Sequence, residues 1–136
     1  MKSQEQITDF TFQHTIKTRW KDLDAFRHIN NAVYLTYIED ARIELLRRWK
    51  ITQDGKSVIV ASVKIDYFKQ VVHPTDLIIG QKVSRIGNKS FDITTMIFNK
   101  KIKKAVCKSI ITIVCFDFTL NKTVPIYKEI EDDYNK

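Results

Sequence analysis

Polar and hydrophobic residues alternate in the first part of the chain. Between residues 10 and 20, one face carries Phe10, Phe12, His14, Ile16, Thr18 and Trp20, and the other face is polar. A period of two residues is typical of a half-buried β-strand. We therefore predict that the first strand spans residues 10–20.

A helical period follows the polar stretch at residues 21–31. Its apolar stripe consists of Tyr34, Ile38, Ala41, Leu45 and Trp49, with Tyr37 alongside. Either Asn30 or Asn31 suits the N-cap, and the acidic residues come early in this segment. Three cations stand at its end, as the helix dipole favours: Arg47, Arg48 and Lys50. The pattern predicts one long amphipathic helix that ends before residues 53–56.

Four further strands are predicted after the helix. They span residues 57–68, 76–86, 90–98 and 104–118, and short turn-forming segments separate them. This order predicts an α+β fold in which an antiparallel sheet of about five strands covers one long central helix. A chain of 136 residues fits a single domain, 1–136. Such a sheet leaves an edge exposed, so we expect a homodimer or a homotetramer.

The charge of the chain narrows its partners only partly. The formal net charge is +7, although residues 129–136 hold four acidic residues and one lysine. A basic body attracts nucleic acid, acidic lipid or a nucleotide-bearing ligand. The lysines are spread over several elements without a nucleic-acid motif, and no apolar run approaches the roughly 20 residues that span a bilayer. We expect a protein without nucleic-acid or membrane partners.

The cysteines indicate a reducing compartment. Cys107 and Cys115 lie eight positions apart in one predicted strand, which separates them by roughly 26 Å. A disulfide needs Cα atoms within about 7 Å, so both thiols should be free, as in a cytoplasmic protein. Three scattered histidines and these cysteines do not make a metal site.

Five polar residues cluster directly before the predicted helix: Asp22, Asp24, His28, Asn30 and Asn31. N–H groups at a helix start stabilise negative charge, so a loop residue beside them can act on a carbonyl that they bind. Asp and Asn also favour loops and caps without any catalytic role. From the residues alone, a structural role of this cluster in the loop and the helix cap is favoured over a catalytic role.

A resemblance of this segment to a family signature favours the catalytic interpretation instead. Residues 19–42 resemble the signature of the 4-hydroxybenzoyl-CoA thioesterase-like family, with its pattern Asp-x-Asp…His-x-Asn-Asn-x-x-Tyr. The resemblance continues more weakly through residues 63–69, 87–91 and 115–125. The family has the hotdog fold, an antiparallel sheet wrapped around a helix, which agrees with the order of elements predicted above. The resemblance implies an acyl-CoA thioesterase that hydrolyses an acyl-CoA or acyl-carrier-protein thioester without a metal or organic cofactor.

The resemblance also assigns roles to residues. It implies that Asp24 is the catalytic nucleophile or general base, that His28 assists it, and that Asp22 belongs to local structure. Backbone N–H groups near Asn31 would form the oxyanion site, with the Asn30 side chain as a further donor. Substrate contacts are expected at Arg27, Tyr34, Lys69, Lys89 and Ser90.

Some features leave alternatives open. Many relatives have glycine in place of Arg27, so the local turn differs or this residue contacts the anionic substrate. The lysine run at residues 100–104 can bind the phosphates of coenzyme A, although a solvated hairpin turn explains it better. Candidates for an acyl pocket are Tyr34, Phe26, Tyr37, Tyr67 and Phe68, although plain packing explains them better. A hotdog protein that binds acyl-CoA or an acyl carrier protein without turnover is the alternative function.

Overall fold

The structure is a computed structural model that describes residues 5–136. Its strands are β1 (Phe12–Lys17), β2 (Lys56–Tyr67), β3 (Asp76–Ile86), β4 (Ser90–Asn99), β5 (Ala105–Asp117) and β6 (Lys122–Thr123). Its α-helices are α1 (Asn31–Arg48) and α2 (Lys128–Tyr134), and short 3-10 helices span Ile7–Asp9 and Trp20–Asp22.

All strands belong to one antiparallel sheet. The order is β1-β3-β4-β5-β2, and β6 pairs with the end of β5. Consecutive hairpins join β3, β4 and β5, whereas β2 lies beyond β5 and forms one edge. Together with α1, this sheet confirms the predicted α+β hotdog fold.

The buried face of α1 follows the predicted helical stripe. Its buried residues are Tyr34, Tyr37, Ile38, Ala41 and Leu45, and Trp49 just beyond the helix is also buried. They belong to one core cluster with strand residues such as Leu77, Ile79, Phe91 and Ile93. Burying one large apolar side chain contributes roughly 1.5–3 kcal/mol, so this stripe holds the helix against the sheet.

The ends of α1 agree with the prediction at the N-cap and in the last turn, and disagree in the first turn. Asn30 is the N-cap, since its Oδ1 accepts a hydrogen bond from the N–H of Ala32 at 2.9 Å, and Arg47 and Arg48 occupy the last turn. The prediction that acidic residues come early was wrong. The first turn holds no acid, because the helix begins at Asn31 and its first acidic residue is Glu39. The positive end of the helix dipole therefore has no acidic side chain from the helix's first turn beside it.

The first strand is shorter than predicted. It ends at Lys17, because a 3-10 turn follows at Trp20–Asp22 and leaves the Trp20 side chain 76% exposed instead of on the buried face. Phe10 is buried although it precedes the strand. A Cβ atom at Gly80 would lie 2.6 Å from the Phe10 ring, so glycine is required for this close approach.

The C-terminal tail contains a helix that the sequence pattern did not predict. Ile130 of α2 is fully buried, and the indole N–H of Trp49 donates to Asp133 at 2.7 Å. The tail thus packs on the core beside the end of α1. Within residues 5–136, no helix combines the length and the hydrophobicity that a bilayer-spanning segment requires.

Candidate active site

The loop before α1 is a small hairpin. An isolated antiparallel bridge joins Leu23 to Ile29, and the Asp24 N–H donates to the His28 carbonyl at 2.8 Å. Arg27 near the end of the three-residue turn has φ 64°, a left-handed conformation that favours glycine. The structure therefore accounts for the glycine of many relatives at this position by backbone geometry.

The Asp24 carboxylate is oriented through one of its two oxygens. Its Oδ1 accepts hydrogen bonds from the N–H groups of Phe26 at 2.8 Å and His28 at 3.2 Å. Among residues 5–136, no donor reaches the other oxygen, Oδ2. The Asp24 side chain is half-buried. A fixed carboxylate with one oxygen that accepts no hydrogen bond therefore lies at the base of the turn.

Asp22, two residues earlier, has the structural role that was predicted for it. Its buried carboxylate accepts hydrogen bonds from the backbone and guanidinium of Arg19 and from the Tyr37 hydroxyl, the last at 2.6 Å. Burial alone raises the pKa of Asp22, but the hydrogen bonds from Arg19 and Tyr37 outweigh it and hold the pKa below its usual value. Since Tyr37 lies on α1, this carboxylate ties the loop to the helix.

The start of α1 offers a hydrogen-bond donor. The Asn30 side chain uses its Oδ1 for the cap, and the N–H of Val33 bonds to the Asn30 carbonyl at 2.9 Å. In the part of the chain that the structure describes, the N–H of Asn31 has no acceptor. A free N–H at the positive end of a helix dipole is suited to a negatively charged oxygen.

The segment that follows β2 forms the opposite wall. The Tyr67 hydroxyl donates to the Asn31 carbonyl at 2.8 Å, and its ring meets that of Tyr34 edge to face at 5.4 Å. The Ile29 N–H donates to the Val71 carbonyl at 2.8 Å. Between the walls lies a cleft of about 450 Å³. It is lined by Asp24, His28, Ile29, Asn30, Asn31, Tyr34, Tyr67, Phe68, Lys69 and Gln70.

Burial shapes the chemistry of nearby groups. It raises the pKa of Tyr34 to about 12 and also raises the pKa of Tyr67, so both phenols stay protonated at neutral pH. Cys107, fully buried and free as predicted, has its pKa raised to about 12 by burial. Because the thiolate is the reactive form, this cysteine is not a nucleophile at neutral pH.

The cleft brings together most of the residues that the sequence suggested. Asp24, His28, Asn30, Asn31, Tyr34 and Lys69 line it. Arg27, Lys89 and Ser90 do not. Arg27 is exposed on the turn. The Lys89 carbonyl accepts a hydrogen bond from the N–H of Cys115 at 2.9 Å, whereas Tyr67, which lines the cleft, pairs with Cys107 of the same strand. Eight residues of a strand span roughly 26 Å, so Lys89 and Ser90 lie at the opposite end of the sheet.

Two lining residues, Ile29 and Gln70, were missed. Gln70 follows Lys69 just beyond the end of β2, and only the pairing of β2 shows that this segment faces the loop before α1. Ile29 could be recognised as an apolar residue within the polar motif. In residues 5–136, no group of three or more His, Cys, Asp or Glu side chains could hold a metal ion.

A long helix enclosed by an antiparallel sheet is the hotdog fold, and one cleft beside this helix contains an oriented carboxylate and a helix N–H without an acceptor among residues 5–136. The sequence profile of the thioesterase-like superfamily matches residues 18–133. The chain therefore belongs to the thioesterase-like superfamily, a superfamily of thioester hydrolases.

Individual relatives agree with this membership. The long-chain acyl-CoA thioesterase FadM of Escherichia coli is 28% identical over 125 residues, 88% of this chain and 94% of that protein. An uncharacterised Bacillus subtilis protein, YsmA, is 32% identical over 95 residues, 68% of this chain and 65% of that protein. The crystal structure of YbaW, a probable thioesterase from Escherichia coli, superposes with a TM-score of 0.79 at 27% identity, covering 90% of this chain and 95% of that one.

Proposed function

We propose that this protein hydrolyses acyl-CoA thioesters to free acid and coenzyme A. The observation that carries the proposal is the single cleft shared by the Asp24 carboxylate and the unpaired N–H of Asn31. The motif around Asp24 resembles the 4-hydroxybenzoyl-CoA thioesterase-like branch, and acyl carrier protein is the other thiol carrier to be tested. The free, buried Cys107 and Cys115 support a cytoplasmic location for this single-domain enzyme.

In this mechanism, the thioester carbonyl oxygen accepts a hydrogen bond from the Asn31 N–H at the positive end of α1. The unoccupied Oδ2 of Asp24 either attacks the carbonyl carbon to form a mixed anhydride or takes a proton from a water that attacks it. The C–S bond breaks and the thiolate leaves, and water completes the acid product. His28 and the Asn30 amide stand beside Asp24 as further proton or hydrogen-bond donors.

Substitution of the carboxylate tests this function. Asp24→Asn keeps the size of the side chain and an acceptor for the Phe26 and His28 N–H groups, but removes the nucleophile or base. We expect thiol release from a panel of acyl-CoA esters to fall by at least about 100-fold. Asp132→Asn, an exposed aspartate on α2, is the matched control and should keep full activity.

The outcomes separate the candidate functions. Undiminished turnover by Asp24→Asn contradicts the proposed role of Asp24. A wild-type protein that binds acyl-CoA but releases no thiol would instead be the non-catalytic binding protein. Single turnover in ¹⁸O-labelled water identifies the nucleophilic route in which water opens the anhydride at the Asp24 carboxyl carbon, since the first acid molecule then carries an unlabelled Asp24 oxygen and the label enters Asp24.

We further propose that the enzyme is a homodimer joined along β2. The outer side of this strand has no partner in residues 5–136, and it exposes Ile59, Val60 and Val63. An exposed apolar edge strand invites pairing with another chain. A two-fold axis makes such a pair antiparallel, so the Lys56 end of one copy meets the Tyr67 end of the other.

In the proposed dimer, the predicted substrate-binding residues Lys89 and Ser90, which do not line the cleft of their own chain, approach the cleft of the partner. Val58 pairs with Cys115, whose N–H bonds to the Lys89 carbonyl, so Lys89 and Ser90 lie toward the Lys56 end of β2. In the antiparallel dimer that end approaches the cleft of the partner. Lys89 and Ser90 would then contact substrate across the interface.

A further inference from the structure

A second cleft adjoins the candidate active site. It has a volume of about 270 Å³ and shares Phe68 and Lys69 with the first cleft. Its other walls come from Glu5, Phe98 and the start of β5 with Lys103 and Lys104. A ligand longer than the first cleft can therefore continue past Phe68 into the second.

Backbone hydrogen bonds join the segment that carries Lys69 to the start of β5, next to Lys103 and Lys104. The Val106 carbonyl accepts hydrogen bonds from both the Phe68 N–H at 2.8 Å and the Lys69 N–H at 3.2 Å. The Phe68 bond continues the pairing of β2 with β5 one position beyond Tyr67 and Cys107. The exit of β2 is thus bound to the beginning of β5, two residues from Lys104.

The hairpin that carries the other lysines is also tightly bonded. The Asn99 N–H donates to the Lys104 carbonyl at 2.9 Å, and the Lys103 N–H donates to the Asn99 carbonyl at 2.8 Å. The Asn99 side chain accepts from the N–H groups of Lys101 and Ile102. These bonds fix the backbone of Lys103 and Lys104 beside the cleft.

Among the residues that the structure describes, the cations of this cleft have no carboxylate partner. Lys69, Lys103 and Lys104 are exposed, and no ion pair among residues 5–136 includes any of them. Glu5 lines the same cleft, but its carboxylate is bound by Lys82 at 3.2 Å and by Lys108 at 2.6 Å. Three lysines that line one cleft create a positive potential there, which favours an anion with several charges. Phe68 and Phe98 add apolar surface.

We propose that Lys69, Lys103 and Lys104 bind the phosphates of the nucleotide part of coenzyme A, a 3′-phosphorylated adenosine diphosphate. This inference rests on the proposed function, since the acyl thioester is taken to occupy the first cleft. The pantetheine arm passes Phe68, and the nucleotide lies in the second cleft. Lysine ammonium groups bind phosphates as point charges, and the aromatic surface accommodates the base. The cations surround a confined cleft and not an open surface, which favours a small nucleotide over a carrier protein.

A pair of substrates with the same acyl group tests this inference. Acyl-CoA carries the nucleotide, whereas the acyl-pantetheine thioester ends before it. In the variant Lys103→Gln/Lys104→Gln, we expect the KM for acyl-CoA to rise at least about tenfold, which is about 1.4 kcal/mol and close to the lower end of the range for one charge-assisted hydrogen bond. The kinetic constants for acyl-pantetheine should not change. Inhibition by adenosine 3′,5′-bisphosphate should weaken in parallel.

The control uses the same hairpin and the same change of charge. Lys100 and Lys101 line a different cleft beside Pro74 and Thr75, so Lys100→Gln/Lys101→Gln should leave the KM for acyl-CoA unchanged. An equal rise in both double variants would show a general charge effect and overturn the proposal. Equal effects on the two substrates would also overturn it. Loss of the preference for acyl-CoA over acyl-pantetheine in Lys89→Gln alone would overturn it as well. So would a Lys103→Gln/Lys104→Gln variant in which only the turnover of acyl-carrier-protein thioesters is weakened.

Failure of the proposed function would be recognised separately. If the wild-type protein hydrolyses neither substrate, hydrolysis is disproved, while calorimetric binding of adenosine 3′,5′-bisphosphate still tests the second cleft. Binding to wild type that weakens at least tenfold in the 103/104 variant, but not in the 100/101 control, supports the inference. Equal binding by all three proteins contradicts it.

Discussion

Asp22 and Asp24 are separated by one residue, yet their carboxylates have opposite surroundings. Asp22 is buried and accepts hydrogen bonds at both oxygens, which leaves it no capacity for a substrate. Asp24 is half-buried, with one oxygen held by two backbone N–H groups and the other unoccupied by residues 5–136. The same side chain therefore stabilises the loop at one position and is available for chemistry at the other.

Arg27 leads to a prediction at the scale of one residue. Because its φ is 64°, a Cβ atom at this position is unfavourable. We therefore expect the free energy of unfolding of Arg27→Gly to exceed that of Arg27→Ala by about 1 kcal/mol. The alanine variant is the matched control, since both lose the guanidinium. Denaturant unfolding measures the difference, and equal stabilities would contradict the geometric explanation. If Arg27 also contacts the anionic substrate, both variants raise the KM equally.

The loop and α1 act as one structural element. The Tyr37 hydroxyl on the helix bonds to the Asp22 side chain, and the Asn30 N–H bonds to the Asp22 carbonyl at 2.9 Å. These contacts keep Asp24 at a constant position relative to the free N–H of Asn31. In the proposed mechanism, this positioning makes an attack geometry available without further ordering of the protein.

Removal of the Asp22 charge should change stability in a way that depends on pH. We expect Asp22→Asn to lower the free energy of unfolding by about 1–3 kcal/mol at pH 7, because Arg19 and the buried Tyr37 hydroxyl lose a charged acceptor. The folded pKa of Asp22 lies below the ordinary value of 3.8. Its stabilisation is therefore complete above about pH 3.8 and is lost as the pH falls through the folded pKa.

The measurement is denaturant unfolding of wild type and variant from pH 7 down to pH 2. The difference between them should shrink only below about pH 3.8. Wild type will retain other acid-sensitive groups, since the Arg85 guanidinium holds the pKa of Asp92 below its usual value as well. A difference that stays constant over the whole range would contradict the linkage.

At the scale of the whole molecule, the unpaired edge of β2 leads to a prediction about assembly. Val60→Lys/Val63→Lys places two like charges on each copy at the proposed interface, where the axis brings them together. Light scattering should show a shift from the mass of two chains toward one, with a parallel loss of acyl-CoA turnover. Leu120→Lys, another exposed apolar residue, should keep the wild-type mass. A monomeric wild-type protein with full activity would contradict the dimer, and a mass of four chains would show a tetramer.

The sequence could predict the long elements because their patterns arise from local geometry. The alternation from Phe12 to Ile16 and the stripe from Tyr34 to Leu45 depend only on the direction of neighbouring side chains. The same reasoning failed at Trp20, where a short turn rotates the chain out of the strand, and at α2, which is too short to show a period. Short elements are stabilised by distant contacts, such as that between Asp133 and Trp49.

By itself, the sequence determined the antiparallel fold around one helix, a helix cap at Asn30 or Asn31 and the loop that carries Asp24. Only the tertiary structure showed that Lys69 faces this loop and also borders a second cleft with Lys103 and Lys104. The physical reason is that periods and caps follow from forces between residues a few positions apart, whereas the pairing of β2 with β5 depends on packing of the whole chain. That pairing, through the Val106 carbonyl, joins the two clefts.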